Sequence, residues 1–120
     1  MTENESFDYL TMRANAHGIT TSELISLVPD SCSDCMIETA ALVKSMDISH
    51  IYPSSLYPEL ASDVDNLRLE PAGPNRARGA EVMTADEIAD ADAAVEAAAD
   101  VIDNTYSYDG TNAFEPFILF

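Results

Sequence analysis

The sequence predicts a mostly α-helical, small single domain of about four helices, with an irregular Pro/Gly-rich middle segment and an extended C-terminal tail. Three observations lead to this fold class. Apolar residues recur at helical spacing near both ends of the chain, capping boxes mark helix starts, and prolines and glycines concentrate in the middle. A hydrophobic content of 47% favours a packed core over disorder. The predicted parts of domain 1–120 are 1–46, 47–83, 84–103 and 104–120.

The N-terminal part is predicted to begin with two helices. The first follows Ser6, an acceptable N-cap, and ends at Gly18. Thr20 and Glu23 form a capping box for a short second helix, which ends at Pro29. Four residues of the first helix fall on one face at helical spacing: Phe7, Leu10, Ala14 and His17.

The middle segment, 47–83, is predicted to lack long regular elements because prolines and glycines interrupt it repeatedly. Its predicted short elements are a helix within 56–64, an extended segment at 65–70 and an exposed loop at 71–79. That loop carries Arg76 and Arg78, which form the basic cluster of the sequence.

A long helix is predicted after Thr84, which forms a capping box with Glu87, and Met83 can pack on Ile88 as a hydrophobic staple. One stripe of this helix is apolar and consists of Ile88, Ala91, Val95, Ala98 and Ile102. The opposite side carries carboxylates. We call it the acidic face, and it consists of Asp86, Asp90, Asp92, Glu96, Asp100 and Asp103.

The chain has a net charge of −17, from 22 acidic and five basic residues. Such a charge argues against direct binding to nucleic acid or to anionic membranes, since both recruit Lys and Arg. Three explanations stay open: a salt-rich environment that screens the charge, mimicry of nucleic acid, or docking onto a basic protein partner. The scarcity of lysine and the excess of aspartate resemble, in composition, proteins of halophilic organisms and their viruses.

The C-terminal tail changes from polar to apolar at its end. Burial of each large apolar side chain contributes about 1.5–3 kcal/mol, so such a tail is expected to pack on its own core or to insert into a partner. The partner-binding residues predicted in this tail are Phe114, Phe117, Ile118, Leu119 and Phe120.

A third helix is predicted from about Ser31 or Ser33 to Met46, and Cys32 and Cys35 form a Cys-x-x-Cys pair at its start. We interpret the two cysteines mainly as small buried hydrophobic residues. The alternatives are a redox pair and a zinc site, whose remaining ligands could only be His17 and His50. His17 is predicted to end the first helix and His50 to lie in a loop, and no cofactor is expected.

Two further patterns are weak. Residues 7–28 resemble a helix-turn-helix, but 21–28 contain no Arg, Lys, Asn or Gln to read base edges, so two short packed helices are the favoured interpretation. Residues 109–112 with Asp103 resemble a calcium loop without its closing glutamate, and a solvated turn is favoured. The sequence contains no recognised catalytic motif, and an enzyme is not expected.

These observations predict a non-enzymatic structural or interaction subunit of a larger assembly, anchored by its apolar tail. The specific hypothesis is a virion protein (a head, connector or tail accessory) from a halophilic or marine system. The first alternative is an acidic DNA-mimic inhibitor of a nucleic-acid-binding host enzyme, and the second is a small Cys-x-x-Cys redox or zinc module. A virion or cytoplasmic location is expected, since residues 1–5 lack signal-peptide features and no apolar run approaches about 20 residues.

Overall fold

The computed structural model describes residues 2–29 and 35–106 of the chain. It is mostly helical (61%) and forms a small compact domain, as predicted. The elements within the described residues are, in order, α1 (Glu3–Ala16), α2 (Thr21–Ile25), α3 (Met36–Lys44), β1 (Asp47–His50), two 3₁₀ turns (Pro58–Leu60 and Val64–Asn66), β2 (Leu67–Glu70), α4 (Ala72–Arg78) and α5 (Ala85–Tyr106). None of the described helices combines the length and apolarity needed to cross a lipid bilayer.

Helix α1 begins earlier than predicted, because its capping box lies at its very start. The Thr2 hydroxyl accepts a hydrogen bond from the Glu5 amide (3.1 Å), and the Glu5 carboxylate accepts one from the Thr2 amide (2.7 Å). The predicted start after Ser6 is therefore wrong: Ser6 is buried, and its hydroxyl donates to the Thr2 carbonyl. Of the residues predicted to share one face of this helix, Leu10 is fully buried whereas Phe7 is exposed.

The end of α1 is close to the predicted position. His17 is the C-cap, and Gly18 follows with a φ of +69°, a conformation that favours glycine. A Cβ atom at Gly18 would also collide with the Ser62 hydroxyl. The 51–66 segment therefore packs closely against the end of α1, and both the turn and this contact require glycine.

The middle segment is more regular than the sequence predicts, since β1 and β2 form a two-stranded antiparallel sheet. In its register Asp47 is paired with Glu70 and His50 with Leu67. The predicted extended segment at 65–70 corresponds to β2, but β1 was not predicted. His50 is accordingly the last residue of a strand instead of a loop residue.

Asn66 organises the chain between the two strands. Its side-chain amide donates to the Tyr52 carbonyl (3.0 Å) and the Leu60 carbonyl (3.1 Å), while its side-chain oxygen accepts from the Tyr52 amide (2.8 Å). Asn66 is buried. Because a buried amide is costly without partners, these hydrogen bonds hold the 51–66 segment in one conformation.

The prediction of an exposed loop at 71–79 is wrong, because this stretch forms α4. Pro74 lies in the first turn of α4, where a missing amide proton costs no intrahelical hydrogen bond.

Helix α4 also supplies positive charge to the sheet. Asp47 and Glu70 lie directly opposite each other on the sheet, and like charges in that position repel.

The two arginines of α4 neutralise these opposed carboxylates. Arg76 makes two hydrogen bonds to Asp47 (3.2 and 3.3 Å), and Asn75 adds a third (2.9 Å). Arg78 binds both carboxylate oxygens of Glu70, and in this pair both side chains are at least 96% buried. We call these five residues the arginine clamp.

The core is formed by α1, α2, α3, the sheet and one side of α5. The predicted apolar stripe of α5 is confirmed: Ala91 and Val95 are buried, and Ala98 and Ile102 pack against the core. The buried hydrophobic residues of the main cluster are Leu10, Ala14, Ile19, Leu24, Val28, Ala40, Leu42, Val43, Met46, Ile48, Leu67, Leu69 and Val95.

The clamp generates a first prediction. Arg78→Met leaves the buried Glu70 carboxylate without its partner, so we expect a loss of about 3–5 kcal/mol in the free energy of unfolding, measured by urea denaturation. The double variant Glu70→Leu with Arg78→Met removes both charges and should recover most of that loss. Arg76→Met is the control. Its guanidinium is 75% exposed, so about 1 kcal/mol or less is expected. Equal losses for Arg76→Met and Arg78→Met would contradict the assignment.

Candidate functional site

The acidic face lies on the solvent side of α5. The capping box that starts the helix is confirmed: the Thr84 hydroxyl accepts from the Glu87 amide (3.1 Å), and the Glu87 carboxylate accepts from the Thr84 amide (2.8 Å). The described members of the acidic face are all exposed: Asp86, Asp90, Asp92, Glu96 and Asp100. Asp103 also lies in α5, but its side chain is outside the described residues.

The spacing of these carboxylates follows from helix geometry. With a rise of 1.5 Å per residue, the row from Asp86 to Asp100 is about 21 Å long and carries about one carboxylate per 5 Å. Three pairs stand four residues apart: Asp86 with Asp90, Asp92 with Glu96, and Glu96 with Asp100. Each such like-charge pair destabilises a helix by about 0.2–0.5 kcal/mol. The acidic face therefore weakens α5, and its alanine content and apolar stripe offset this cost.

The arginines of the chain serve contacts inside the fold. Arg13 donates to the carbonyls of Val43 (3.2 Å) and Met46 (3.3 Å) at the end of α3, and to the Tyr9 hydroxyl (2.6 Å). Arg76 and Arg78 belong to the clamp. Arg78 also lies 3.7 Å from Glu87, which connects α4 to the first turn of α5.

Only one member of the acidic face lies near an arginine of the described chain. The Arg68 Nε atom is 4.0 Å from the Asp92 carboxylate, which is 64% exposed. At that distance and exposure the ion pair contributes little. Among the described residues, no cation lies within ion-pair distance of Asp86, Asp90, Glu96 or Asp100. The counter-charge for most of the acidic face therefore has to come from dissolved ions or from another molecule.

Arg68 also lines a cavity of about 310 Å³ between the end of α2 and α5. Its Nε atom is buried there and has no hydrogen-bond partner within the described residues. The other lining residues include Leu27, Val28 and Val95, which are apolar, and Glu96. The two carboxylates at this cavity, Asp92 and Glu96, offset the arginine charge and disfavour an anion there.

Within the clamp, the pKa of the Asp47 carboxyl lies below its ordinary value. The hydrogen bond from Asn75 is the main cause that lowers the pKa of Asp47 below its usual 3.8, and partial burial opposes this. The Arg76 guanidinium lowers the pKa further. Folding therefore favours the ionised carboxylate at this position.

The structure brings the two histidines together. Their ring centroids are 6.1 Å apart, with an angle of 36° between the ring planes. The prediction that His17 ends the first helix is confirmed. The sequence suggested these residues only as weak zinc candidates, because nothing local places β1 beside the end of α1.

Cys35 does not fit the favoured interpretation. It is half-buried and takes part in a disulfide bond, so the interpretation of this residue as a small buried hydrophobic side chain is wrong. Cys32 lies outside the described residues. A disulfide sulfur is not the thiolate that zinc requires, and no group of three or more His, Cys, Asp or Glu side chains in the described ranges is arranged to hold a metal ion.

The pKa of Asp47 generates a second prediction. Because its folded pKa lies below its unfolded pKa, its contribution to stability is complete above about pH 4 and is lost as the pH falls through the folded value. Asp47→Asn should lower the free energy of unfolding by about 1 kcal/mol or less at neutral pH. The difference from the wild-type protein should disappear in urea titrations at progressively lower pH. A difference that persists below about pH 2 would contradict this cause.

The acidic face generates a third prediction, for which two variants with equal charge are compared. The face variant carries Asp86→Asn, Asp90→Asn, Glu96→Gln and Asp100→Asn. The scattered variant carries Asp8→Asn, Glu59→Gln, Asp65→Asn and Glu81→Gln at exposed positions on other elements. Each removes four negative charges, so the net charge of −17 becomes −13 in both.

Raising NaCl from about 0.1 M to about 1 M shortens the screening length from about 10 Å to about 3 Å. We expect this to stabilise the wild-type protein by about 1 kcal/mol, given three like-charge pairs on α5. The measurement is the urea midpoint as a function of salt. The face variant should lose most of this salt dependence, whereas the scattered variant should keep most of it. Equal slopes for the two variants would contradict a concentrated charge on α5.

The predicted tail residues Phe114, Phe117, Ile118, Leu119 and Phe120 lie outside the described residues. Of the predicted site residues, the structure thus shows the described members of the acidic face to be exposed and places His17 beside His50. Comparisons with protein-family models, with curated proteins and with solved structures find no match to this chain.

Proposed function

We propose that this protein is a non-enzymatic interaction subunit of a larger assembly, and that the acidic face of α5 is its docking surface for a basic partner. One observation carries the proposal. The arginines at positions 13, 76 and 78 are committed to contacts inside the fold, while four carboxylates of the acidic face lack a cation in the described part of the chain. A basic protein surface would supply the missing counter-charges.

The energetics of α5 support an external role for these carboxylates. The apolar stripe accounts for the packing of α5 on the core, and the capping box accounts for its start. Apart from Asp86, whose place in the first turn suits the helix dipole, the acidic face contributes to neither, and its like-charge pairs weaken the helix. A feature that costs stability and remains exposed is typical of a binding surface or of adaptation to high salt.

The apolar tail supplies the second half of the proposal. Residues Phe117, Ile118, Leu119 and Phe120 end a chain of net charge −17, and insertion of such a segment into a neighbour removes a large apolar surface from water. We propose that the protein is a virion accessory protein from a saline environment. Its acidic composition suits high salt, and its apolar tail suits permanent attachment to a particle.

The rival function, mimicry of DNA, finds less support in the spacing of the carboxylates. One strand of duplex DNA presents a phosphate about every 3.4 Å. The described row on α5 has a wider spacing, about 5 Å per carboxylate along the helix axis. A mimic would need further carboxylates from other elements to complete a phosphate-like track.

The docking surface is tested with the face and scattered variants defined above. Each full-length variant is assembled with the native particle or complex, and its retention is measured by co-sedimentation at about 0.15 M salt. We expect the face variant to bind at least about tenfold more weakly, a loss of about 1.4 kcal/mol. The scattered variant, with the same net charge, should bind nearly as well as the wild-type protein. An equal loss of binding in the two variants would contradict a specific docking surface on α5, because it would show that only the net charge of the protein matters.

The tail is tested by truncation after Ala113, with circular dichroism as the control for folding. We expect the truncated protein to fold and to be lost from the assembly. Unchanged assembly would contradict anchoring by the tail. Displacement of DNA from a basic enzyme by the wild-type protein, with a steep dependence on salt, would favour mimicry instead.

A further inference from the structure

The end of α1, the end of β1 and the 51–66 segment meet at the histidine pair. His17 is the C-cap of α1, and His50 is the last residue of β1. Both rings are half-buried. The close approach of Gly18 to Ser62 holds the 51–66 segment against the end of α1, so the backbone keeps the two histidines near each other.

Backbone carbonyls fix the tautomer of each imidazole. His17 Nδ1 lies 3.3 Å from the Arg13 carbonyl, and His50 Nε2 lies 3.1 Å from the Ala61 carbonyl. A carbonyl oxygen only accepts hydrogen bonds, so each of these nitrogens must donate. In the neutral rings the lone pairs therefore belong to His17 Nε2 and His50 Nδ1, and neither of these atoms has a hydrogen-bond partner among the described residues.

This arrangement is the one that metal-binding histidines use. A histidine ligand typically donates its other ring proton to a carbonyl or a carboxylate, which fixes its orientation and raises its basicity. With a metal–nitrogen distance of about 2 Å, two imidazoles on one ion have ring centroids about 5 Å apart at a tetrahedral angle and about 6.5 Å apart when they stand on opposite sides of the ion. The 6.1 Å between His17 and His50 lies within that range and corresponds to a wide angle between the two ligands.

The electrostatic surroundings favour a cation. The carbonyl end of α1 carries the negative end of the helix dipole, and His17 lies directly at it. The net charge of −17 raises the local concentration of divalent cations around the whole molecule.

We propose that His17 Nε2 and His50 Nδ1 together bind one divalent transition-metal ion of the class that prefers imidazole, such as Ni²⁺, Cu²⁺ or Zn²⁺. Water completes the coordination, because the described residues provide two protein ligands. The ion would cross-link α1 to β1. The site does not depend on the docking surface of α5 and does not use the cysteines.

The probe is Ni²⁺, which prefers nitrogen and oxygen ligands and broadens nearby NMR signals. It is added to the full-length, oxidised protein. At substoichiometric Ni²⁺ the ring signals of His17 and His50 should broaden together, before any signal from α5. Calorimetry should give a single site, and His17→Gln and His50→Gln should each weaken it about tenfold or more, because each removes one arm of a two-point attachment. Asp86→Asn, which removes a carboxylate of the acidic face, is the matched control and should leave the affinity unchanged.

Two results would overturn the proposal. One is wild-type affinity in both histidine variants. The other is broadening that follows α5 and disappears in about 1 M NaCl, which indicates diffuse attraction of the ion to carboxylates. If a histidine variant fails to fold, the wild-type spectra decide alone: separate broadening of the two rings, or none, refutes a shared ion. Long-range proton–nitrogen spectra of the metal-free protein provide an independent check, since they must show the Nδ1–H form for His17 and the Nε2–H form for His50.

Discussion

Neutralisation of the paired carboxylates Asp47 and Glu70 is the constraint on which the middle of this fold depends. The antiparallel register places them opposite each other, where like charges repel. Within residues 2–29 and 35–106 the sheet consists of these two strands, so no third strand there separates the two carboxylates. Helix α4 supplies the solution, with one exposed arginine for Asp47 and one buried arginine for Glu70. Because Arg78 also reaches Glu87, the same guanidinium connects the sheet to the first turn of α5.

The charges of the protein consequently divide into two groups with different physics. Inside, a few arginines meet carboxylates or carbonyls at hydrogen-bond distance, where removal of one partner leaves a costly buried charge. Outside, the carboxylates of α5 interact mainly through solvent, where each pair is worth a few tenths of a kcal/mol and responds to salt. The first group fixes the fold, and the second group is available to partners.

Local signals in the sequence were sufficient for the helices and insufficient for the sheet. The capping boxes at Thr20 and Thr84 and the apolar stripe of α5 are encoded within a few neighbouring residues, and the structure confirms them. Strand β1 could not be recognised, because four residues become a strand only through pairing with β2, far along the chain. Helix α4 was mistaken for a loop because glycine and proline stand in its first turn, where both are tolerated.

The candidate functional site was likewise predictable only where it depends on local sequence. Periodicity alone located the acidic face, since its exposure follows from the position of the apolar stripe. The histidine pair depends on the tertiary packing of the 51–66 segment, which Asn66 holds through three hydrogen bonds. A polar residue at the end of a short 3₁₀ turn gives no sign of such a role until its neighbours in space are known.

The burial of the Arg78–Glu70 pair limits how many basic side chains this protein can lose. At high salt, dissolved sodium or potassium ions can balance the charge of surface carboxylates, so lysine side chains are not needed there. An ion from the medium cannot reach a carboxylate that is 3% exposed without opening the structure. As long as position 70 remains a carboxylate, a covalently attached side chain must therefore continue to provide this guanidinium.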